Sequence, residues 1–236
     1  MSSIKQLAGQ TIWYGGSSIA AKFINYLLTP YLTYNLAHAS DYGKMGIIYS
    51  AIPIFNILFT YGFETAYFRF ASKSENKNTI YSTASLSLIF STIFLTILLW
   101  LNQSLLAGIT GLSAFPRMIQ LSIVIIALDA FSTIPFARLR EQGRPKKYAL
   151  VRIGGIVVNI FFTWFFISYC ANALKKDPNS WISLFYDLKT NPIVYVLIAN
   201  VIQSAITLVL LGREFAEIKF KFNKRLWKEM MIYALP

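Results

Sequence analysis

Six long apolar runs constrain this chain more than any other feature of its sequence. A transmembrane helix needs about 20 consecutive, mostly apolar residues, and each run is at least that long. They lie at about residues 11–36, 45–70, 79–101, 117–139, 148–170 and 192–211, and a seventh starts at 230 and is cut off at 236. The sequence therefore predicts an all-α integral membrane protein.

Composition and charge support a membrane protein and exclude two other classes. Hydrophobic residues make up 56% of the chain and charged residues 14%, whereas soluble domains carry about 25% charged residues. An outer-membrane barrel would show segments of about ten residues with alternating polarity, and such segments do not dominate here. A net charge of +12 would suggest nucleic acid for a soluble protein. Here Lys and Arg cluster in the connections between runs, as membrane topology requires, so we expect no nucleic-acid partner.

The distribution of basic residues also predicts orientation and domain organisation. Fourteen Lys and Arg fall in the segments that would share the side of the N-terminus, and five on the opposite side. The positive-inside rule therefore places the N-terminus in the cytoplasm, and we expect a multi-pass protein of the cell inner (cytoplasmic) membrane. Residues 1–212 are predicted to form a six-helix lobe, residues 213–229 a basic cytoplasmic linker, and residues 230–236 the start of a seventh span.

Four connections carry specific predictions. Residues 37–44 contain Asp41-Tyr42-Gly43, which is typical of a turn. The basic loop Arg138–Lys147 should lie at the level of the lipid headgroups and attract anionic phospholipids. Residues 171–191 are predicted to form an interfacial amphipathic helix, with a substrate lid as the alternative. The linker should lie on the membrane surface.

The first apolar run carries Lys22 near its middle. Gly15, Ser18, Asn25 and Thr29 share a helical face with Lys22, because these residues recur at spacings of three and four. A charge at bilayer depth costs about 2.5–3.5 kcal/mol on insertion scales, so Lys22 should face protein or water. A cleaved signal peptide is the less favoured interpretation, since its apolar region is about 7–15 residues long.

Polar residues follow one face of four further runs. They are Ser50, Pro53, Asn56, Thr60 and Glu64 in the second run; Asp129, Ser132 and Thr133 in the fourth; Arg152, Gly155, Asn159 and Thr163 in the fifth; and Asn200, Gln203, Ser204 and Thr207 in the sixth. Interhelical hydrogen bonding, worth about 0.6 kcal/mol on average, is the simpler explanation, and a water-filled cavity is the functional one. The third run offers only serines and threonines, so it should face lipid or pack through small residues. Gly154-Gly155 permits close helix approach.

Charged residues within the runs favour the cavity. Asp129 lies near the middle of the fourth run, where it should be neutralised by a proton or a cation; Lys22 or a coupling H⁺ or Na⁺ would serve. Arg69 and Arg152 lie near run ends, where snorkelling to the interface is the alternative role. Glu64 and Arg69 are five residues apart and should not pair.

Enzyme chemistry finds no support in this sequence. The chain has one cysteine, Cys170, and one histidine, His38, which gives neither a metal-ligand cluster nor a catalytic triad. A Gly-rich phosphate loop is also missing. We therefore expect a transporter with no catalytic residues, no metal and no cofactor other than a coupling H⁺ or Na⁺.

Several short motifs resemble those of a known family. Asp41-Tyr42-Gly43 before an apolar span is similar to the "eyG" turn of polysaccharide flippases. Tyr61-Gly62-Phe63-Glu64-Thr65-Ala66, followed by Arg69-Phe70, resembles the "G-x-E-x-A…R" ending of their second span. The basic loop before the fifth span and Tyr233-Ala234-Leu235-Pro236 also fit. The whole chain thus resembles the N-terminal half of a polysaccharide (O-antigen and capsule) flippase of the multidrug/oligosaccharidyl-lipid/polysaccharide exporter superfamily.

This resemblance implies a two-lobed transporter of at least 12 helices. A central cationic cavity would accept the sugar-pyrophosphate head of an undecaprenyl-linked oligosaccharide and move it by alternating access during surface polysaccharide biosynthesis. This chain stops at Pro236, so it would supply the six-helix N-terminal lobe and require a second six-helix lobe.

The resemblance also suggests roles for individual residues. Binding of the substrate pyrophosphate or sugar is assigned to Lys22, Asn25, Arg152 and Asn159. Ion coupling or charge balance is assigned to Asp129 and Glu64. The cytoplasmic gate or headgroup contact is assigned to Arg69, Arg138 and Arg140. Two alternatives stay open. One is an ion-coupled multidrug exporter of the same superfamily, and the other is a non-transporting membrane subunit of a polysaccharide synthase complex.

Overall fold

The described part of the chain is almost entirely helical. This computed structural model describes residues 15–16, 19, 28–35 and 39–234, and within them no strand is present. Residues 28–35 are helical. They are followed by α1 (Ala39–Thr60), α2 (Phe63–Lys73), α3 (Lys77–Leu101), α4 (Gln103–Ile109), α5 (Pro116–Glu141), α6 (Pro145–Lys176), α7 (Pro192–Leu210), α8 (Gly212–Ala216) and α9 (Lys224–Ala234). The predicted all-α class is confirmed.

Five of these helices are long and apolar enough to cross a membrane. They are α1 from Ser40, α3, α5, α6 and α7, and they correspond to the second to sixth predicted runs. The first predicted run, 11–36, lies largely outside the described residues. Large apolar side chains such as Ile54, Phe94 and Val209 are exposed on the bundle, which suits a surface that faces lipid rather than water.

Helix α5 lies at the centre of the bundle. It packs against α1, α3 and α7, while α6 packs mainly against α7. Although α5 and α6 are consecutive, they contact each other less than each contacts α7. The space left between α1, α5, α6 and α7 forms the cavities described below.

The second predicted span is divided into two helices. Helix α1 ends at Thr60, and α2 begins at Phe63 after Tyr61 and Gly62, which have φ angles of 36° and 71°. The single span predicted at 45–70 is therefore wrong. Only glycine adopts positive φ readily, and a Cβ on Gly62 would lie 3.0 Å from the carbonyl oxygen of Ala234. Pro53 lies inside α1 without ending it.

The predicted turn at Asp41-Tyr42-Gly43 is also wrong. These residues lie in the first turns of α1, where an acidic side chain is favoured by the helix dipole. The buried Asp41 carboxylate accepts hydrogen bonds from Lys44 Nζ at 2.9 Å and Asn191 Nδ2 at 2.8 Å. Asn191 also caps α7 by accepting from the Ile193 amide at 3.0 Å. Asp41 thus ties the start of α1 to the start of α7.

Residues 171–191 do not form the predicted amphipathic helix. Helix α6 passes through a π-helical stretch at Phe165–Cys170 and continues to Lys176, and only Trp181–Leu184 form a short 3₁₀ turn beyond it. Tyr186 is buried and stacks on Tyr195 with ring centroids 4.2 Å apart. This packing against α7 overrides the helical periodicity of the segment.

The linker is attached to α3 by hydrogen bonds, and its predicted place on the membrane surface stays a prediction. The Lys219 amide donates to Ser82 Oγ at 3.0 Å and the Asn223 amide to Thr83 Oγ1 at 3.3 Å; Trp227 Nε1 donates to Ser87 Oγ at 2.8 Å. Residues 80–88 of α3 are buried, so this half of the third span packs inside the protein. Helix α9 begins at 224, six residues before the predicted start of the seventh span.

Candidate functional site

A cavity of about 500 Å³, which we call the charged cavity, lies between α1, α2, α5, α6 and α7. Four charged residues line it: Glu64, Asp129, Arg140 and Arg152. The sequence singled out all four, and the structure brings them into one space. The described lining carries two carboxylates and two guanidinium groups, whereas the family resemblance implies a cationic cavity. Lys22 and Asn25 lie outside the described residues, so their predicted place in the site stays a prediction.

Asp129 lies near the middle of α5 and contacts the neighbouring helices α1 and α7. Ser204 Oγ on α7 donates to Asp129 Oδ1 at 2.7 Å. Asn56 on α1 also interacts with this carboxylate, and Arg152 acts on it electrostatically. Within the described residues the direct partners of Asp129 are neutral, and the expected contact with Lys22 falls outside them. The carboxylate is therefore held by polar groups at the wall of a cavity that a cation could enter.

Arg152 lies in the cavity wall at the first turns of α6. Its guanidinium carbon is 5.3 Å from the centroid of the Phe136 ring, a geometry that orients a guanidinium by cation–π attraction. The residue is exposed, so its donors can reach a ligand in the cavity. It lies in the same lining as Asp129 and Tyr148, and its ligand role stays a prediction.

Glu64 at the start of α2 forms an ion pair with Arg140 near the end of α5. The Arg140 guanidinium carbon also lies 5.0 Å from the Phe68 ring centroid and 5.7 Å from that of Tyr148. Both charged side chains are about one-third exposed, at 35% and 34%, and ion pairs of this kind are worth about 0–1 kcal/mol. Both partners of this pair belong to the lining of the charged cavity.

Arg69 lies away from the charged cavity. It is exposed on α2, and its guanidinium carbon is 4.4 Å from the centroid of the Tyr233 ring on α9. The prediction that Glu64 would not pair with Arg69 is confirmed, since Glu64 pairs with Arg140. The gate role of Arg69 stays a prediction.

A second cavity of about 360 Å³, which we call the amide cavity, lies beside the first. Three carboxamides line it, those of Asn159, Asn200 and Gln203, together with the phenol of Tyr49. Gln203 lines both cavities. Asn159 and Arg152 were predicted to share one site on α6, but the structure places them in adjacent cavities. The buried Asn159 accepts a hydrogen bond from Thr163 Oγ1 at 3.4 Å.

A glycine lets the two walls of these cavities meet. A Cβ on Gly155 of α6 would lie 3.0 Å from Thr207 Oγ1 and 3.5 Å from Gln203 Cγ on α7. The predicted close approach at Gly154-Gly155 is therefore confirmed for Gly155. A Cβ on Gly154 meets no atom within 4 Å, so only one glycine of the pair is needed.

Arg138 is a structural residue and not the headgroup contact predicted from its place in the basic loop. It is buried, at 6% exposure. Its guanidinium group binds Asn78 at 2.5 Å, Glu141 at 3.1 Å and Glu217 at 3.4 Å. A buried guanidinium needs such partners because an unpaired buried charge is strongly destabilising.

The rest of the basic loop is also largely paired. Arg144 and Lys147 bind the two carboxylate oxygens of Glu214 at 2.8 Å and 2.6 Å, and Glu214 is fully buried. Arg138 and Arg140 are paired as well, whereas Lys146 is exposed. The loop anchors α8 through Glu214, and its predicted attraction to anionic phospholipids stays a prediction.

Sequence reasoning missed the acidic partners of the basic loop. Glu214 and Glu217 are acidic residues in a linker that is otherwise rich in Lys and Arg, and that contrast was the available signal. Ser204 was noted as one of several polar residues on the sixth run, but nothing in the sequence paired it with Asp129. Arg140 was expected at a gate, and its partner Glu64 lies 76 positions away.

Comparison with known proteins gives one match. A family model described as "polysaccharide biosynthesis protein" matches residues 7–236, a range that includes both cavities. No curated protein and no solved structure gives a significant match.

Proposed function

Because the chain belongs to the polysaccharide biosynthesis protein family, the family of O-antigen flippases, we propose that it translocates a lipid-linked oligosaccharide. The cargo is an undecaprenyl-pyrophosphate-linked oligosaccharide, which crosses the cytoplasmic membrane by alternating access for O-antigen, capsule or exopolysaccharide synthesis. The observation that carries this proposal is the charged cavity between five helices of a multi-pass membrane protein. Charged residues within spanning helices are costly, so a cavity lined by them indicates a pathway for a polar cargo or an ion.

In this proposal Arg152 holds the pyrophosphate. A guanidinium presents a planar fork of donors that matches phosphate oxygens, and the Phe136 ring orients that fork. Lys22 supplies a second cation and Asn25 a polar contact from the first span. The lipid tail stays in the bilayer against the apolar outer surface of the bundle.

Asp129 is the group proposed to couple transport to H⁺ or Na⁺. Its carboxylate is held by Ser204 and shares the cavity with Arg152. A cation at Asp129 and a pyrophosphate at Arg152 would compensate each other's charge. Opening of the Glu64–Arg140 pair then provides access on the cytoplasmic side, with the N-terminus in the cytoplasm.

The proposal includes two partners. A second six-helix lobe covers the polar faces of this one, because lipid cannot solvate the charged lining. Anionic phospholipids contact the exposed Lys146 and Arg69 at the membrane surface.

A cellular assay tests the proposed function. In a strain that lacks this gene, the full-length protein should restore surface polysaccharide, and the variants K22A and R152A should reduce it at least tenfold, because a lost charged hydrogen bond is worth about 1.5–3 kcal/mol. R213A is the matched control, since Arg213 is exposed on α8 and is not part of either cavity lining. Normal export by both K22A and R152A refutes the assigned roles.

The carboxylate of Asp129 in the charged cavity is an observation in favour of a second candidate function, that of an ion-coupled multidrug exporter. A carboxylate in the cavity attracts the amphipathic cations that such exporters prefer, whereas Arg152 opposes them. Drug susceptibility of the deletion strain separates the two candidates. Unchanged susceptibility together with lost surface polysaccharide supports the flippase.

A further inference from the structure

The amide cavity differs from the charged cavity in chemistry although the two are adjacent. Its described lining contains no Asp, Glu, Lys or Arg. Asn159 reaches it from α6, Asn200 and Gln203 from α7, and Tyr49 from α1. Leu28, Leu32 and Met45 supply apolar surface. A neutral cavity with several hydrogen-bonding groups and some apolar wall is poorly suited to an anion.

The amides of this cavity retain unused hydrogen-bonding capacity. Each carboxamide has two N–H donors and one oxygen with two lone pairs. Asn200 Nδ2 donates to the Tyr49 hydroxyl oxygen at 2.5 Å and to the Val196 carbonyl at 2.9 Å, and no bond to its Oδ1 occurs among the described residues. The Gln203 side chain has no hydrogen-bond partner among the residues that the structure describes. Among the described residues, hydrogen bonds therefore use only part of the capacity of these three amides.

This chemistry fits a saccharide ring. Carboxamides both donate and accept, so they pair with neighbouring hydroxyl groups that also do both. The apolar wall and the tyrosine ring can contact the C–H face of a sugar. The volume of about 360 Å³ falls within the range of about 300–1,000 Å³ that is typical of small-molecule sites.

The relation between the two cavities fits a cargo with a charged and an uncharged part. Arg152 and Asn159 are seven residues apart on α6, which corresponds to about 10 Å along the helix axis. Gln203 lines both cavities and so stands at their junction. A ligand that occupies both would place its anionic group at Arg152 and a neutral portion at the amides.

We infer that the amide cavity is a separate subsite for an uncharged, hydroxyl-rich saccharide unit, and that Asn159, Asn200 and Tyr49 determine its selectivity. The inference rests on the proposed function, in which the charged cavity takes the diphosphate of the same cargo. It assigns Asn159 to sugar and Arg152 to diphosphate, where the sequence had grouped them together.

The test compares two lipids that differ only in the saccharide. Binding of a polyprenyl-diphosphate oligosaccharide and of the sugar-free polyprenyl diphosphate is measured on the purified full-length protein in detergent. N200L should weaken binding of the saccharide lipid about tenfold, the effect of one or two lost hydrogen bonds, and leave binding of the sugar-free lipid unchanged. R152Q should weaken binding of both lipids.

Two further variants keep the test decisive. Y49F removes a single hydroxyl and retains the ring, so it should fold and give a smaller loss for the saccharide lipid alone. T92V is the matched control, since Thr92 is buried on α3 outside both cavity linings and its hydroxyl has no partner within the described chain; both affinities should be unaltered.

The outcomes separate this inference from the proposed function. If N200L and Y49F weaken both lipids equally, or neither, the saccharide subsite is refuted while the flippase proposal stands. If the unaltered protein binds neither lipid, both are overturned.

Discussion

Gly154 and Gly155 are neighbours with opposite predicted responses to a methyl group. Replacing a helical glycine by alanine stabilises a helix by about 0.8–1.0 kcal/mol through propensity alone. At Gly154 no atom lies within 4 Å of the new Cβ, so G154A should be neutral or stabilising. At Gly155 the Cβ would lie 3.0 Å from Thr207 Oγ1, and overpacking of this kind costs about 1–3 kcal/mol. G155A should therefore be less stable than G154A by about that amount.

Thermal unfolding of the purified variants in detergent measures this difference. A gap of about 1–3 kcal/mol corresponds to a Tm for G155A at least roughly 2 °C below that of G154A. Removing the Thr207 side chain relieves the contact, so the double variant G155A/T207A should recover stability, with a coupling energy of about 0.5–3 kcal/mol. Equal Tm values for the two single variants, or no coupling with T207A, would refute the claim that Gly155 sets the distance between α6 and α7.

Three further predictions concern charge and titration. A cysteine introduced at Thr133 in the charged cavity should react faster with a cysteine reagent in E64Q and in R140Q than in the unaltered protein. The two rates should be similar, because either change breaks the same ion pair. Labelling rates equal to that of the unaltered protein would contradict the proposal that this pair restricts access to the cavity. E214A should destabilise the protein by about 3–5 kcal/mol, as for a buried charge pair that loses one partner, while E229A at an exposed pair should change stability by less than about 1 kcal/mol, as measured by thermal unfolding. Burial raises the pKa of Tyr186 to about 12 from the usual value of 10.0; the folded state therefore favours the neutral phenol, so the contribution of Tyr186 to stability is full below pH 10 and falls between about pH 10 and 12. Y186F should reduce this fall without abolishing it, because burial raises the pKa of Tyr67 to about 12 as well.

The sequence predicted the membrane helices well because hydrophobic length is a local property. Runs three to six coincide with α3, α5, α6 and α7 within a few residues. The second run was wrongly predicted as one helix. Hydrophobic periodicity does not show where the backbone changes direction, as it does here at two residues with positive φ angles. The motif containing Tyr61-Gly62 marked this place in the chain, but its apolar surroundings favoured one continuous helix.

The sequence indicated which charged residues line the charged cavity, but it did not indicate which side chains they contact. Asp129, Glu64 and Arg152 stood out because charges in apolar runs are costly. Their partners could not be found, since Ser204 lies 75 positions and Arg140 76 positions away from the residue that each contacts. The basic loop that contains Arg138 shows the same limit. A dense basic loop indicates lipid contact, and the sequence does not show that the carboxylates of Glu214 and Glu217 pair with this loop in the folded protein.

Translocation in proteoliposomes tests the central claim most directly. The full-length protein is reconstituted with a fluorescent undecaprenyl-pyrophosphate oligosaccharide, and the fraction that becomes accessible to a quencher on the opposite side is followed over time. The account predicts transfer by the unaltered protein and by R213Q, with a rate at least tenfold lower for R152Q. Transfer by R152Q at the rate of R213Q would contradict the assignment of the charged cavity to the cargo.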